Sequence, residues 1–290
     1  MRFEVLLRDA QIEYFEACRC DPQREEALRD ELERRRSQIR DDFAFVAQCN
    51  IGDKAMAEAD IERLHRIGAG TWLRQLDDRL GLSPVEEARV APFPSHSPCV
   101  ERVLADKLEH RIARDDAETR FGSFDFAMRP TSLKQNLGEL YNLSIVRGTL
   151  TDEDRYLINE HISSTIEMLE TLPWPKEMQR VVEYAGGHHE KTDGTGYPRK
   201  LQGHELSIPA RIMAIADIFE ALTADDRPYK KAKTLSQAMQ ILQVMAREQH
   251  IDGELFKLFV NSKVYLEYAA HWLSPAQIDE VDEAGLLDAG

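Results

Sequence analysis

The sequence predicts an all-α protein, and two of its features carry this prediction. Most of the chain consists of segments in which apolar residues recur at intervals of three and four, the spacing that places them on one face of a helix. The 290 residues are 42% hydrophobic and 31% charged, which is the composition of a globular protein slightly rich in charge, as helical proteins often are. A chain of this length can bury one large core or two modest ones.

Charge and cysteine content exclude several classes of function. The chain carries 37 basic and 52 acidic side chains, a net charge of −15, and it has no long basic run, so it is not expected to bind polymeric nucleic acid. Neither a signal peptide nor a membrane span of roughly 20 apolar residues is present. The four cysteines lack the spacing of a zinc site. We therefore expect a cytoplasmic protein with no membrane contact.

The N-terminal region, residues 1–91, is predicted to be helical. Residues 11–46 form a long amphipathic pattern with a heavily charged outer face, and residues 60–67 and 72–80 predict two further helices. Such a region could pair with a second copy or receive a signal. The proline-dense segment 92–100 is expected to be a linker, because the residue before each proline is forced into an extended conformation.

Residues 101–273 are predicted to form the second domain. Residues 101–114 predict a helix with Asp106 and His110 four residues apart on one face. An aspartate and a histidine at this spacing usually form a surface hydrogen bond, but the same spacing also lets a helix offer two metal ligands. The end of the chain, residues 274–290, is acidic and glycine-tailed and is expected to be a frayed tail.

Two helices of the second domain carry residues of chemical interest. One begins at Thr151, a good N-cap, and its apolar stripe includes His161. A single histidine on an apolar face is more often a core residue than a ligand. The other helix begins near Pro209 and is apolar over most of its girth, with Asp217 inside the apolar run. A carboxylate buried there is costly unless it is paired or binds a metal.

The segment between these helices contains the most constrained residues of the chain. Residues 188–198 read His-His-Glu-Lys-Thr-Asp-Gly-Thr-Gly-Tyr-Pro, so that two histidines at a helix end precede a turn with two glycines. Adjacent helical residues lie roughly 100° apart, but at a helix end His188 and His189 can lean toward one point. That point would suit a metal ion or a phosphate, and a pair of exposed histidines beside a turn is the alternative interpretation.

Taken in order, His161, His188-His189, the Gly-Tyr-Pro turn, Asp217 and a loop at residues 226–230 resemble the HD-GYP family, a bacterial branch of the HD metal-dependent phosphohydrolases. The resemblance covers about residues 139–268, with a weaker extension back to Asp106. It implies an all-α, HD-type helical bundle. It also implies cyclic-di-GMP as the ligand, hydrolysed at a site of two or three metal ions, commonly iron or manganese.

The resemblance implies roles for individual residues as well. The metal ligands it implies are His161, His188, His189 and Asp217, and more weakly Asp106 and His110. The side chains it implies as holding the nucleotide are Asp193, Tyr197, Arg227 and Lys230. The doubled acid at 225–226 departs from the single aspartate usual in the family.

A larger departure decides the expected mechanism. The His-Asp dyad that gives the family its name has no counterpart, since one alignment places it on Tyr141 and Asn142 and another on Ser132 and Leu133. Neither pair offers the bridging carboxylate that supplies negative charge to two cations roughly 3.5–4 Å apart. Three histidines still suffice for one divalent ion with open positions.

We therefore expect a cyclic-di-GMP signalling protein that binds or regulates, with weak or no phosphodiesterase activity. Its cofactor is expected to be a single divalent ion, iron, manganese or another, or none. A signalling protein partner and a homodimer formed through the N-terminal helices complete this expectation. Two alternatives remain open: an active metal-dependent phosphodiesterase with a reduced metal site, and a helical scaffold for protein interaction.

Overall fold

The structure is a computed structural model that describes residues 1–52, 54–114, 126–225 and 232–287. The chain divides into two compact units. One comprises Met1–Asp116 and Thr131–Tyr156, and the other comprises Ala117–Pro130 and Leu157–Gly290. Helices dominate both units, so the predicted all-α class is confirmed. Within the described residues, no helix combines the length and the apolar character needed to cross a membrane.

The first unit is built on two long helices that run antiparallel. Its helices are α1 (Arg2–Cys20), α2 (Glu25–Ile51), α3 (Glu58–Ala69), α4 (Pro84–Val90) and α5 (Glu139–Leu143). Phe3 near the start of α1 packs edge-on against Phe43 near the end of α2, with ring centroids 5.5 Å apart. The helix predicted over residues 11–46 is interrupted by a single 3-10 turn, Pro22–Arg24. The break falls at Pro22 because proline has no amide hydrogen for an intrahelical bond.

Four short strands of the first unit have no counterpart in the sequence-based prediction. They form two antiparallel pairs: β1 (Thr71–Arg74) with β2 (Cys99–Arg102), and β3 (Arg111–Ala113) with β4 (Leu133–Asn136). The helices predicted over residues 72–80 and 101–114 are therefore wrong, and the latter range contains strand residues and one 3-10 turn, Leu108–His110. Each strand has a partner distant in sequence, which hydrophobic periodicity within one segment does not report.

This pairing also corrects the predicted domain boundary. The proline-dense segment 92–100 runs into β2, which begins at Cys99 and pairs with β1 inside the first unit, so this segment is not a linker between domains. The core of this unit is formed by Leu64, Val103 and Leu104, which are at most 6% exposed.

The second unit contains the larger core. Its helices are the C-terminal part of α6 (Asp152–Glu170), then α7 (Val181–Gly187), α8 (Ile208–Thr223), α9 (Leu235–Arg247), α10 (Gly253–Ser262), α11 (Val264–Trp272) and α12 (Glu283–Leu287). Leu286 of α12 is 7% exposed and joins the core, and the Tyr265 hydroxyl donates to Glu283 at 2.6 Å. The prediction of a frayed tail from residue 274 is therefore wrong as far as Leu287, because this acidic segment has an apolar side that docks.

Candidate metal site

Three histidines converge in the second unit. His161 lies in α6, while His188 and His189 directly follow the last residue of α7. One ring nitrogen of each histidine lies within 4.8 Å of the others, and the Nε2 atoms of His161 and His189 are 3.1 Å apart. Two nitrogen atoms that bind the same ion, each at about 2.0–2.1 Å, are separated by about this distance. The structure thus brings together three of the predicted metal ligands.

Two glycines let the end of α7 approach its neighbours closely. A Cβ atom on Gly186 would lie 2.8 Å from the Ile166 side chain in α6, and one on Gly187 would lie 3.1 Å from Ala210 in α8. Larger residues at these positions would push α7 away from α6 and α8. Gly186 and Gly187 therefore allow α7, which ends at the histidine pair, to pack closely on α6, which carries His161, and on α8.

Backbone carbonyl groups fix the orientation of two of the three rings. Nδ1 of His188 lies 2.6 Å from the Ala185 carbonyl oxygen, and Nδ1 of His161 contacts the Ile158 carbonyl oxygen in the same way. Because a carbonyl oxygen only accepts, Nδ1 of each neutral ring carries the hydrogen and Nε2 carries the lone pair. This is the tautomer in which Nε2 can bind a metal, held by the outer hydrogen bond common to metal-binding histidines.

The third ring, His189, is kept neutral by its surroundings. Burial lowers its pKa to about 4, the neighbouring His188 and His161 act in the same direction, and the negative charge of Asp217 opposes them. A metal-binding imidazole must be neutral. His189 therefore meets this requirement at neutral pH without the loss of a proton.

Asp217 occupies a different environment from the one predicted. It is exposed, because α8 turns Ala210, Ala214, Ile215 and Phe219 inward and presents Asp217 on another face. It lies outside the three-nitrogen group among the described residues, although its charge acts on the pKa of His189. The prediction that Asp217 is a buried acid is therefore wrong, but it remains close enough to the cluster to interact with it electrostatically.

The environment of His161 differs from the prediction in a similar way. The inward residues of α6 are Ile162, Ser163 and Ile166, each 0% exposed, whereas His161 is exposed. Ile162 and Ile166 pack with Phe126. The buried stripe of this helix is thus displaced from the predicted one, and His161 lies outside it.

The turn after the histidine pair folds around Glu190, which sequence reasoning did not single out. Glu190 is 3% exposed and accepts hydrogen bonds from the amides of Arg199 at 2.6 Å and Leu201 at 3.0 Å. A Cβ on Gly196 would lie 2.5 Å from the Glu190 Cα, so only glycine fits there. The signal that could have identified Glu190 is a carboxylate within a segment of glycines and proline that leaves many backbone amides to satisfy.

Two of the predicted nucleotide-binding residues lie in this turn. The Tyr197 ring stacks on the His189 ring, with centroids 4.9 Å apart and planes inclined by 18°. Asp193 accepts from the Thr195 amide at 2.8 Å and from its hydroxyl at 2.7 Å, which closes the tip of the turn. The other two predicted residues, Arg227 and Lys230, lie outside the described residues, as does Asp226.

The residues that the two alignments place at the position of the dyad lie in the first unit, where Tyr141 and Asn142 make structural hydrogen bonds. The Tyr141 hydroxyl donates to Glu153 at 2.9 Å, and burial together with this carboxylate raises the pKa of Tyr141 to about 12. The Asn142 amide donates to the carbonyls of Asn136 and Gly138 at 2.8 and 2.6 Å. In the other alignment, Leu133 begins β4 and Ser132 is an exposed neighbour. None of these side chains provides a carboxylate.

Asp106 and His110 also lie in the first unit, and they do not share a helix face as predicted. Asp106 accepts from the Tyr141 amide at 3.2 Å, and His110 Nδ1 lies 3.3 Å from the Lys107 amide nitrogen. Among the described residues, the group with metal-binding geometry contains the three histidines and neither of these two side chains.

The three convergent imidazoles and the Tyr197 ring stacked on one of them agree with the arrangement that the resemblance to the HD-GYP family predicts. Residues 98–255 match the HD domain, more than half of the chain. The chain belongs to the HD domain family, in its HD-GYP branch.

Relatives of known activity support this assignment. The chain is 34% identical over 145 residues to 3'3'-cGAMP-specific phosphodiesterase 1 of Vibrio cholerae, covering 49% of the chain and 33% of the relative. It is 35% identical over 115 residues to a cyclic di-GMP phosphodiesterase of Pseudomonas aeruginosa, which is 40% of the chain and 27% of the relative. The cyclic di-GMP phosphodiesterase response regulator RpfG of Xanthomonas campestris is 37% identical to the chain over 95 residues, which is 33% of the chain and 25% of the relative. The match thus spans a third or less of each relative.

Proposed function

We propose that this chain is a cyclic-dinucleotide signalling protein that binds its ligand and has weak or no phosphodiesterase activity. We also propose that His161, His188 and His189 hold a single divalent ion. The observation that supports the ion is the convergence of the three imidazoles, two of them held by backbone carbonyls in the tautomer that leaves Nε2 free. The activities named for the relatives support cyclic di-GMP or 3'3'-cGAMP as the ligand.

The proposed division of roles follows from the chemistry of the side chains. A bound ion with three nitrogen ligands keeps open positions, and it would polarise a phosphodiester oxygen or a water. Asp217 would add a carboxylate on the open side, because its charge reaches His189. Tyr197 stacks on His189 and would hold the nucleotide together with Asp193, Arg227 and Lys230.

Weak hydrolysis is expected because the chain lacks the acid that joins two cations. In a two-metal site, the ions clamp both the attacking and the leaving oxygen. Asn142 can offer only a neutral amide, and the Tyr141 phenol stays protonated at neutral pH because its pKa is raised to about 12. A single ion would leave one of these two oxygens without a cation.

The intact histidine cluster favours a second candidate, a phosphodiesterase that works with a reduced metal site. The named activities of the relatives point the same way. This candidate uses the same ligands and differs from the first only in turnover.

Three measurements on the purified chain distinguish these functions: metal content, calorimetric titration with cyclic di-GMP and 3'3'-cGAMP, and a turnover assay with added Mn²⁺ or Fe²⁺. We expect about one ion per chain, dinucleotide binding and little product. His188→Ala should abolish metal binding. The matched control is His271→Ala, since the exposed His271 also places Nδ1 against a backbone carbonyl, at 2.7 Å, but lies outside the cluster.

The outcomes separate the candidates. If the wild type hydrolyses the dinucleotide and both His188→Ala and Asp217→Ala abolish this hydrolysis, the second candidate replaces the first. Binding of neither metal nor dinucleotide would contradict both and favour the interaction scaffold.

A further inference from the structure

The first unit contains a cavity of about 710 Å³ that includes none of the three histidines. This volume lies within the roughly 300–1,000 Å³ of pockets that hold small organic ligands. The cavity is lined by residues of α1, α2, β4, α5, the segment that follows α5, and the first turn of α6, together with Leu104. Its apolar wall includes Phe3, Val46, Leu104 and Leu143, and its polar wall includes Asn142 and Asp154.

The charge of the walls selects against anionic ligands. The residues that line the cavity in the described structure include two acids, Glu139 and Asp154, and no lysine, arginine or histidine. An anion placed there would face these carboxylates, and no cationic side chain lines the cavity in the described structure. A phosphorylated ligand such as a nucleotide is therefore disfavoured in this cavity.

The two acids are not equivalent. Glu139 is already engaged, because it forms an ion pair with Arg2 and accepts from the Ala105 amide at 2.9 Å. Asp154 uses Oδ2 to accept from the Thr151 amide at 3.0 Å, and its Oδ1 makes no hydrogen bond within the described part of the chain. One carboxylate oxygen therefore remains for a cationic group.

Hydrogen bonds hold the polar wall in place before any ligand binds. The Asn142 amide is tied to two backbone carbonyls, and the Asn136 side chain accepts from the Gly138 amide at 3.0 Å. The side chain of Gln135, which also lines the cavity, makes no hydrogen bond within the described residues and is available to a ligand. A preformed wall reduces the entropy that a ligand must lose to bind.

We propose that this cavity is a binding site for a small organic cation with an apolar body, whose charged end pairs with Asp154. The apolar wall would take up the body of the ligand, and the free Oδ1 of Asp154 would accept from its ammonium or iminium group. This site would give the chain a ligand chemically distinct from a cyclic dinucleotide.

The test uses two fluorescent probes on the full chain: the cationic dye rhodamine 6G and the anionic dye anilinonaphthalene sulfonate. We expect saturable binding of the cationic dye at one site and at least about tenfold weaker binding of the anionic dye. Asp154→Asn should lower the affinity for the cationic dye about tenfold, because asparagine can still accept from the Thr151 amide but carries no charge. Asp152→Asn is the control, because Asp152 is an exposed acid that does not line the cavity.

A second variant pair tests the location of the bound dye. Ala47 lines the cavity and is exposed, so Ala47→Trp should fill the cavity without disturbing the core and should abolish saturable binding. Ala44→Trp, on the same helix but outside the cavity, should bind as the wild type does. Equal affinity for the two dyes, no saturable binding, or identical behaviour of the two tryptophan variants would overturn the proposal.

Discussion

Glu190 shows how one buried carboxylate can organise the surroundings of a candidate metal site. Its two oxygens accept from two backbone amides on the far side of the turn, and the Tyr197 amide donates to the His189 carbonyl at 3.2 Å. Burial raises the pKa of Glu190 in spite of these bonds. At the scale of the residue, therefore, its role is to position the turn, and with it the ring of Tyr197 on His189.

We predict that Glu190→Ala destabilises the protein by about 2–4 kcal/mol, because two partly buried amides lose their acceptor. The variant should also bind metal more weakly, since the His189 ring loses its stacked neighbour. Urea denaturation and metal titration measure the two effects. The control is Glu205→Ala, because Glu205 is an exposed residue that accepts from the Gln202 amide at 2.8 Å, and its removal should cost less than about 1 kcal/mol. Equal costs for the two variants would contradict the prediction.

At the scale of elements, the β1–β2 ribbon is held by a group of charges that link it to the following segment. Arg74 Nε lies 3.0 Å from Glu101, and Lys107 Nζ lies 2.8 Å from Glu101 and 2.9 Å from Asp78. Burial opposes ionisation of both acids, yet their hydrogen bonds to Lys107 and the charges of Lys107 and Arg74 together outweigh it and lower the pKa of Asp78 and of Glu101. Burial also opposes the charge of Lys107, while its bonds to the two acids raise its pKa.

These shifts predict a pH dependence of stability. Acids with a lowered pKa stabilise the fold above their unfolded pKa of about 4 and lose this contribution as the pH falls through the folded value. Lys107 has a raised pKa, so its contribution is fully present below its unfolded pKa of about 10.4 and is lost as the pH rises through the higher folded value. The free energy of unfolding should therefore fall at both extremes. In denaturation measured across pH, Glu101→Gln should reduce the slope with which the free energy of unfolding falls at acid pH.

The control for this prediction is Asp77→Asn. Asp77 lies in the same segment but is exposed, so its replacement should leave the slope on the acid side unchanged. A slope that is the same for Glu101→Gln as for the wild type would contradict the assignment of the acid side to this charge group.

At the scale of the whole molecule, the division into two units predicts that a bound ion stabilises only the unit that holds it. A ligand at about 100 times its dissociation constant stabilises the native state by about 2.7 kcal/mol. Mn²⁺ should therefore raise the unfolding transition of the second unit and leave that of the first unchanged, and a chelator should reverse the shift. Calorimetry with and without the ion measures both transitions.

The variant His188→Ala should lose this shift, whereas His271→Ala should keep it. A shift that persists in His188→Ala would show that the ion binds elsewhere. An equal shift of both transitions would contradict the prediction that only the unit holding the ion is stabilised.

The proposed homodimer is a second prediction at this scale. On α1, Ile12 and Phe15 lie three residues apart and are 54% and 62% exposed, which is an apolar patch suited to a second copy. If the chain dimerises through these helices, Phe15→Asp should shift the mass measured by light scattering toward the monomer. Val85→Asp is the control, since Val85 is 80% exposed on α4. A monomeric wild type would contradict the prediction.

The site could be predicted from the sequence to the extent that its information is local. The helix end before His188 and the turn after His189 depend on neighbouring residues, and the structure brings these histidines together with His161. The exposure of Asp217 and the packing of His161 could not be predicted, because a helix with apolar residues over much of its girth does not indicate which face meets the core. Glu190 was missed for a related reason, since its two partners lie nine and eleven residues further along the chain.

The sequence by itself determined the helical class, the histidine-rich motif and its family, because helix periodicity, capping and turn residues act over a few positions. Only the tertiary structure decided the strand pairs, the docking of α12 and the cavity of the first unit. Each of these depends on segments far apart in sequence that meet only when the chain is folded, so no local pattern of residues encodes them. For the same reason, the segment 92–100 resembles a linker in sequence, whereas in the fold it runs into β2, which pairs with β1.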